Sequence, residues 1–308
     1  MTDFKTCLRD FNAFLKSIKN REPIDAVESN FKNTMNTAAA APTALYRFFY
    51  QYNVLNAGIA STIASLVGNI SKSRDVFTDP EVPVHAVAGY SFEIANLVNQ
   101  ASVNEYNDPV FGNISHRLLA AGVLQAVGNF AEMDVATRND VQTPQWLDDL
   151  VIKIQTLYSG KQNDVTALAR ALGAHIFSEF SADELEFSNA CKALFVDRKN
   201  QGFHAHVKHN PLITVQGKTF RVDSWLKTHG GYDEEKEAIV HAAEYDHLEM
   251  AFGALKLWSS KSSAAEQDIL MNAAFEGLRM MREYLDTFFT NAGKDDVQEV
   301  PIITSLCA

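Results

Sequence analysis

Residues 264–290 read AAEQDILMNAAFEGLRMMREYLDTFFT. Within them Met271, Ala274, Leu278, Met281, Leu285 and Phe288 recur at alternating steps of three and four, which lays one apolar stripe along an α-helix. The same period extends outward through most of the chain. It predicts helices over 3–19, 24–35, 43–70, 92–105, 114–132, 144–158, 164–196 and 233–258, with a break at Pro42 and a loop over 73–89 that carries Pro80, Pro83 and Gly89. Only 208–225 reads otherwise. Leu212 to Val222 forms two short alternating runs around Gln216-Gly217-Lys218, the pattern of a hairpin. The expectation is an all-α multi-helix bundle of roughly nine helices with a small β-hairpin-like insertion. One helical domain spans 1–308, with a core over about 43–290 and a loosely attached tail over 293–308.

Composition agrees. The chain has 308 residues, 46% of them hydrophobic and 21% charged, with only 15 Gly and 8 Pro to punctuate a many-stranded protein. Its 27 Lys and Arg against 38 Asp and Glu leave a formal charge of -11, which repels phosphate backbones and anionic lipid surfaces. Neither nucleic acid nor membrane is therefore expected as a partner. Cys7, Cys191 and Cys307 are an odd number without short spacing, so a reducing, cytoplasmic setting is expected. The start of the chain has no apolar run of the signal-peptide type. Residues 48–71 lack charge and are long enough to span a bilayer, but Gln51, Asn53, Asn56, Ser61, Thr62, Ser65 and Asn69 interrupt them. A helix wrapped by others in a soluble core is the expectation there.

Carboxylates and imidazoles cluster in three places. Glu244 and His247 form a Glu-x-x-His pair inside a predicted helix, where residues three apart can address one metal ion, as in helical di-iron proteins. His241 lies three residues earlier. Glu105 closes one helix and His116 opens the next. On a continuous helix eleven residues would part them by ~16 Å; the Asp108-Pro109 and Gly112 punctuation removes that obstacle. Glu179 stands in an apolar stretch with His175 one turn before it, either a buried ligand or a helix-end charge.

Together these motifs resemble the heme-oxygenase-like di-metal oxidases and oxygenases, which share the fold of heme oxygenase and the thiaminase-like proteins. The likeness runs over roughly 43–289. It rests on Asn104-Glu105, Ser115-His116-x-Leu118-Leu119, Leu172-Gly173-x(5)-Glu179, the His241/Glu244/His247 run followed by Leu248-Glu249-Met250-Ala251, and Ala273-Ala274-Phe275-x-x-Leu278 with Arg282. The resemblance implies metal ligands at Glu105, His116, Glu179, Glu244 and His247, with His241 as the sixth, holding two irons or an Fe/Mn pair. It implies a non-heme di-iron oxidase or oxygenase that uses dioxygen on a small organic substrate, with a homodimer open to it as an assembly. The chain departs from the family at one ligand. The family's first His lies seven residues before the last, where this chain has Val240, and one residue is about 100° around a helix; a π-bulge would restore the alignment. A second registration takes His229 and Asp233 but sets Lys236 at the final ligand. A metal-free member of the fold acting as a ligand-binding or structural protein is the alternative, and a heme-degrading enzyme ranks third.

Neutral imidazoles and carboxylates suit iron or manganese. Tyr106 and Tyr245, each beside an implied ligand, read as packing residues or as hydrogen-bond donors behind the ligands. His204 and His206, with His209, would share one face of an extended segment and read as surface. Cys191 reads as a small buried thiol, with a nucleophile activated by Lys192 as the other possibility.

Overall fold

The computed structural model describes residues 10–78, 89–239 and 245–292. In chain order the helices are α1 (Phe11–Arg21), α2 (Ile24–Ala39), α3 (Pro42–Asn56), α4 (Ile59–Lys72), α5 (Ser91–Tyr106), α6 (His116–Phe130), α7 (Val135–Asn139), α8 (Gln145–Ser159), α9 (Val165–Ser181), α10 (Phe187–Cys191) and α11 (Gly202–His209). The hairpin β1 (Leu212–Val215) and β2 (Lys218–Arg221) follows, then α12 (Ser224–His229), the short pair β3 (Tyr232–Asp233) and β4 (Ala238–Ile239), α13 (Tyr245–Lys261) and α14 (Ala264–Ala292). Among the described residues these two antiparallel pairs are all the sheet there is, so the architecture is an all-α bundle with a small hairpin insertion.

The stripe on α14 is its buried face: Met271, Ala274, Leu278, Met281, Leu285 and Phe288 all lie inside. α9 crosses it in backbone contact. A Cβ on Gly173 would sit 1.8 Å from the Ala274 carbonyl oxygen, and one on Gly277 the same distance from that of Arg170, so neither position accepts a side chain at this separation. Nearer the C-terminal end of α14, Phe288 and Phe289 pack ring against ring with Phe31, Phe48 and Tyr52 of α2 and α3, with centroids 4.8–6.4 Å apart.

Several expectations need correction. The helix expected over 43–70 breaks at Ala57-Gly58, which separates α3 from α4. Nor is this stretch wrapped on all sides. Pro42–Lys72 is long and apolar enough to cross a membrane, yet only 22% of its most apolar window is buried, and α4 buries just the stripe of Thr62, Ile63, Leu66 and Ile70. Its Ser and Thr hydroxyls instead donate to carbonyls one turn back, as Ser65 does to Ser61 and Ser71 to Val67. The segment 164–196 is helical but widens twice into π turns, Ala182–Glu186 and Lys192–Val196. Of the helix expected over 233–258, residues 233–239 are not helical, and the helix is described from Tyr245 onward. Asp233 Oδ1 accepts from the Glu235 and Lys236 amides, and Glu237 takes φ 51°, so β3 and β4 form in its place. Finally, residues 204–209 belong to α11 and are not extended: His204 is buried and His206 stacks on Phe203. The tail 293–308 lies outside the described residues.

Candidate metal centre

α5 ends at Tyr106, and the chain then makes a turn that only its particular residues allow. Asp108 Oδ1 accepts from the Val110 amide at 2.8 Å and so starts a 3₁₀ turn at Pro109; Gly112 and Asn113 follow with φ 70° and 63°. The Asp108 amide donates to the Ile114 carbonyl, and Ser115 caps α6. His116, the first residue of α6, thereby returns to the end of α5. Its Nδ1 lies 2.9 Å from Glu105 Oε1 and its Nε2 2.7 Å from Asp108 Oδ2. A neutral imidazole donates once. Two carboxylate neighbours therefore ask for an additional proton or a cation at one of the two contacts.

His229 closes on the same point from α12. A Cβ on the next residue, Gly230, would stand 2.5 Å from Cys191 Sγ and 2.6 Å from the Phe187 carbonyl, so a glycine is what lets the end of α12 lie against α10. The His229 ring sits edge to face with His116, centroids 4.8 Å apart, and is flanked by Phe111, Phe187 and Trp225. Asp108, His116 and His229 are all buried, with one ligand atom of each within 4.8 Å of the others.

The second group is carried by α9. Tyr158 O–H meets His175 Nδ1 at 2.5 Å, and Glu179 Oε1 lies 3.3 Å from the same nitrogen. Burial pushes the Tyr158 phenol well up, with the Glu179 and Glu105 charges adding to it, and pushes His175 down against the pull of Glu179. The phenol thus keeps its proton, and it shares His175 Nδ1 with Glu179. His247, on α13, places Nδ1 3.7 Å from Glu179 Oε2.

Both groups open on one cavity of about 250 Å³, whose wall includes Glu105, His116 and Glu179. Its apolar lining comes from Leu55, Ile59, Ile63, Ile154, Met281 and Leu285, while Asn53, Asn56, Tyr106 and Arg117 supply polar groups. A further carboxylate, Glu186, ends the first π turn on this wall and accepts from Tyr52 Oη at 2.7 Å and Ser181 Oγ at 2.6 Å. So three of the residues implied by the resemblance, Glu105, His116 and Glu179, line one space, and a fourth, His247, stands beside Glu179. His241 and Glu244 lie outside the described residues, as does the proposed bulge before His247; of Tyr245 only the backbone is described. Asp233 serves its turn and pairs with Lys236 at 3.0 Å, so it is not turned inward as a ligand. Cys191 is a buried thiol that donates to the Leu226 carbonyl, with burial pushing its pKa up.

Asp108 and Glu186 were missed as chemistry. Asp108 read only as a helix breaker, although its carboxyl sits eight residues before a histidine on the far side of a turn. Glu186 falls seven residues after Glu179, about two helical turns, and shared that signal of facing the same way. Comparison of the chain with known protein families, with curated proteins and with solved structures finds no match.

Proposed function

We propose that this chain is a non-heme di-metal oxidase or oxygenase, with two irons or an Fe/Mn pair, that uses dioxygen to oxidise a small organic substrate. The observation that carries the reading is the convergence of Glu105, His116 and Glu179 on one cavity, with His247 beside Glu179. The donor set fits such ions. Carboxylate and imidazole suit iron and manganese, and both groups hold carboxylate oxygens against buried imidazoles where a positive charge stabilises them. Glu105 and His116 would hold metal from the broken-helix side and Glu179 and His247 from α9 and α13, with His241 and Glu244 as the remaining ligands. Bound iron supplies redox chemistry toward dioxygen that no side chain here provides.

The chain's own residues do the rest. Leu55, Ile59, Ile63, Ile154, Met281 and Leu285 exclude water and hold the carbon skeleton of a guest. Asn53, Asn56 and Arg117 orient its polar end. Glu186, held by two hydroxyl donors, presents a fixed carboxyl group in the wall. Tyr158 holds His175, and through it the α9 side of Glu179.

Metal analysis of protein expressed with iron supplementation tests the proposal against the His116→Ala, Glu179→Ala double variant. The parent is expected to carry close to two equivalents of Fe or Fe plus Mn, and the variant almost none. Less than one equivalent in the parent refutes it.

A further inference from the structure

We propose that Asp108, His116 and His229 form a divalent transition-metal site of their own beside the cavity that His116 lines, one that needs neither Glu179 nor His247. The inference rests on the metal-dependent reading for the use of such an ion but departs from it in the ligands.

The hydrogen bonds of the two histidines carry the argument. His229 Nδ1 lies 2.8 Å from the Trp225 carbonyl oxygen. A carbonyl only accepts, so Nδ1 bears the proton and the lone pair of the neutral ring is on Nε2. His116 repeats the pattern with a carboxylate: Glu105 accepts at Nδ1, which leaves Nε2 toward Asp108. An acceptor behind each ring, fixing tautomer and orientation, is the usual support of metal-bound histidine. Glu105 is on this account a positioning residue for His116, acting at the nitrogen that faces away from the ion.

The donors suit the ion in type and spacing. Two imidazoles and one carboxylate favour first-row ions such as Fe²⁺, Co²⁺ or Zn²⁺ over Mg²⁺ or Ca²⁺. Donors roughly 2.0–2.2 Å from an ion lie about 3–4 Å from one another. The Asp108–His116 contact of 2.7 Å need open only slightly, and all three atoms already stand within 4.8 Å. Phe111, Phe187 and Trp225 pack around the rings and hold them in place. One polar group there has no use in the fold: Trp225 is 6% exposed, lines the cavity, and its Nε1–H finds no hydrogen-bond partner among the described residues. A donor left over beside the three ligands suits an anion or water bound on the ion.

The test is Co²⁺ titration of the metal-stripped full-length protein, read by equilibrium dialysis and by the visible ligand-field band. Asp108→Ala and His229→Ala are each expected to weaken one equivalent by more than about 100-fold, while Glu179→Ala and His247→Ala leave that equivalent in place. Glu105→Ala weakens it by about tenfold, and Glu105→Gln, whose amide oxygen still accepts from Nδ1, restores it. Melting curves report folding, and His229→Cys adds a signal independent of stability, a near-ultraviolet thiolate-to-cobalt band. If the parent binds two equivalents and neither Asp108→Ala nor His229→Ala reduces them, this site is refuted and the two-ion reading stands. If one equivalent binds and depends on Asp108 and His229 but not on Glu179, the site stands and the two-ion reading falls. A parent that takes up no cobalt overturns this site.

Discussion

At the Glu105–His116 end, carboxylates and imidazole come from two helices joined by a strained turn, whereas at the Glu179 end His175 and Glu179 share one unbroken helix a single turn apart. The first end is assembled by loop chemistry: an aspartate cap, two residues at positive φ and a serine cap. The second is assembled by packing, because α9 is fixed where Gly173 and Gly277 let two backbones touch. A site built half from a turn and half from a helix crossing therefore has two separate failure modes, one side-chain polar and local, the other steric and global.

The difference can be broken at its strongest point first. Gly277→Ala forces α14 away from α9 and is expected to cost about 3 kcal/mol or more, read as a loss in denaturant midpoint. A change below about 1 kcal/mol would mean that the crossing does not hold the Glu179 end. Lys227→Met comes next, through α12, which carries His229. Burial pushes Asp223 up, but its hydrogen bond and charge contact with Lys227, 2.5 Å away, win and hold it below the usual carboxylate range; Lys227 is raised against its own burial by the same partner and Glu234. Removing the lysine leaves buried Asp223 with the 3.3 Å contact to exposed Arg221 in its place and costs about 3 kcal/mol. The sign of the pH effect follows. The lowered Asp223 stabilises above its unfolded value of about 3.9 and loses this as pH falls through its folded value; the raised Lys227 stabilises below about 10.4 and loses it as pH rises. Denaturation across pH should show a flatter acid limb in Lys227→Met than in the parent.

His116→Ala tests the turn end itself and is expected to cost about 2 kcal/mol, since Glu105 and buried Asp108 lose the group between them. Tyr158→Phe is the matching change at the helix end. It leaves buried His175 without its phenol partner for about 1 kcal/mol, and calorimetry should find the broken-helix end untouched, with cobalt uptake there unchanged. Smallest is Lys218→Ala. Its Nζ donates to the Asn113 carbonyl from the exposed hairpin, and its loss should stay under about 0.5 kcal/mol while raising amide exchange at Gly112 and Asn113.

What could be read in the chain before folding divides along the same line. The stripe on 264–290, the interrupted helix between Glu105 and His116 and the Gln216-Gly217 hairpin were legible, because period and turn chemistry are local. The break at Gly58 was not, since one glycine in an apolar run rarely ends a helix. The π turns were hidden for a related reason: nothing in Ala182–Glu186 forbids an ordinary helix, and the widened turn has Glu186 between Ser181 of α9 and Tyr52 of the distant α3. His229 was weighed with Asp233 because four residues part them; the fold pairs it instead with Asp108 and His116, more than a hundred positions earlier.

The glycine crossing of α9 and α14 also separates two properties that usually drift together. With the helix axes pinned at Gly173 and Gly277, the depth of the cavity beside Glu179 is set by how far Met281 and Leu285 reach from α14, not by where that helix lies. In the proposed enzyme, trimming or enlarging those two side chains would change the space for a guest while the carboxylates and imidazoles stay in register, so chemistry and selectivity would be tuned apart.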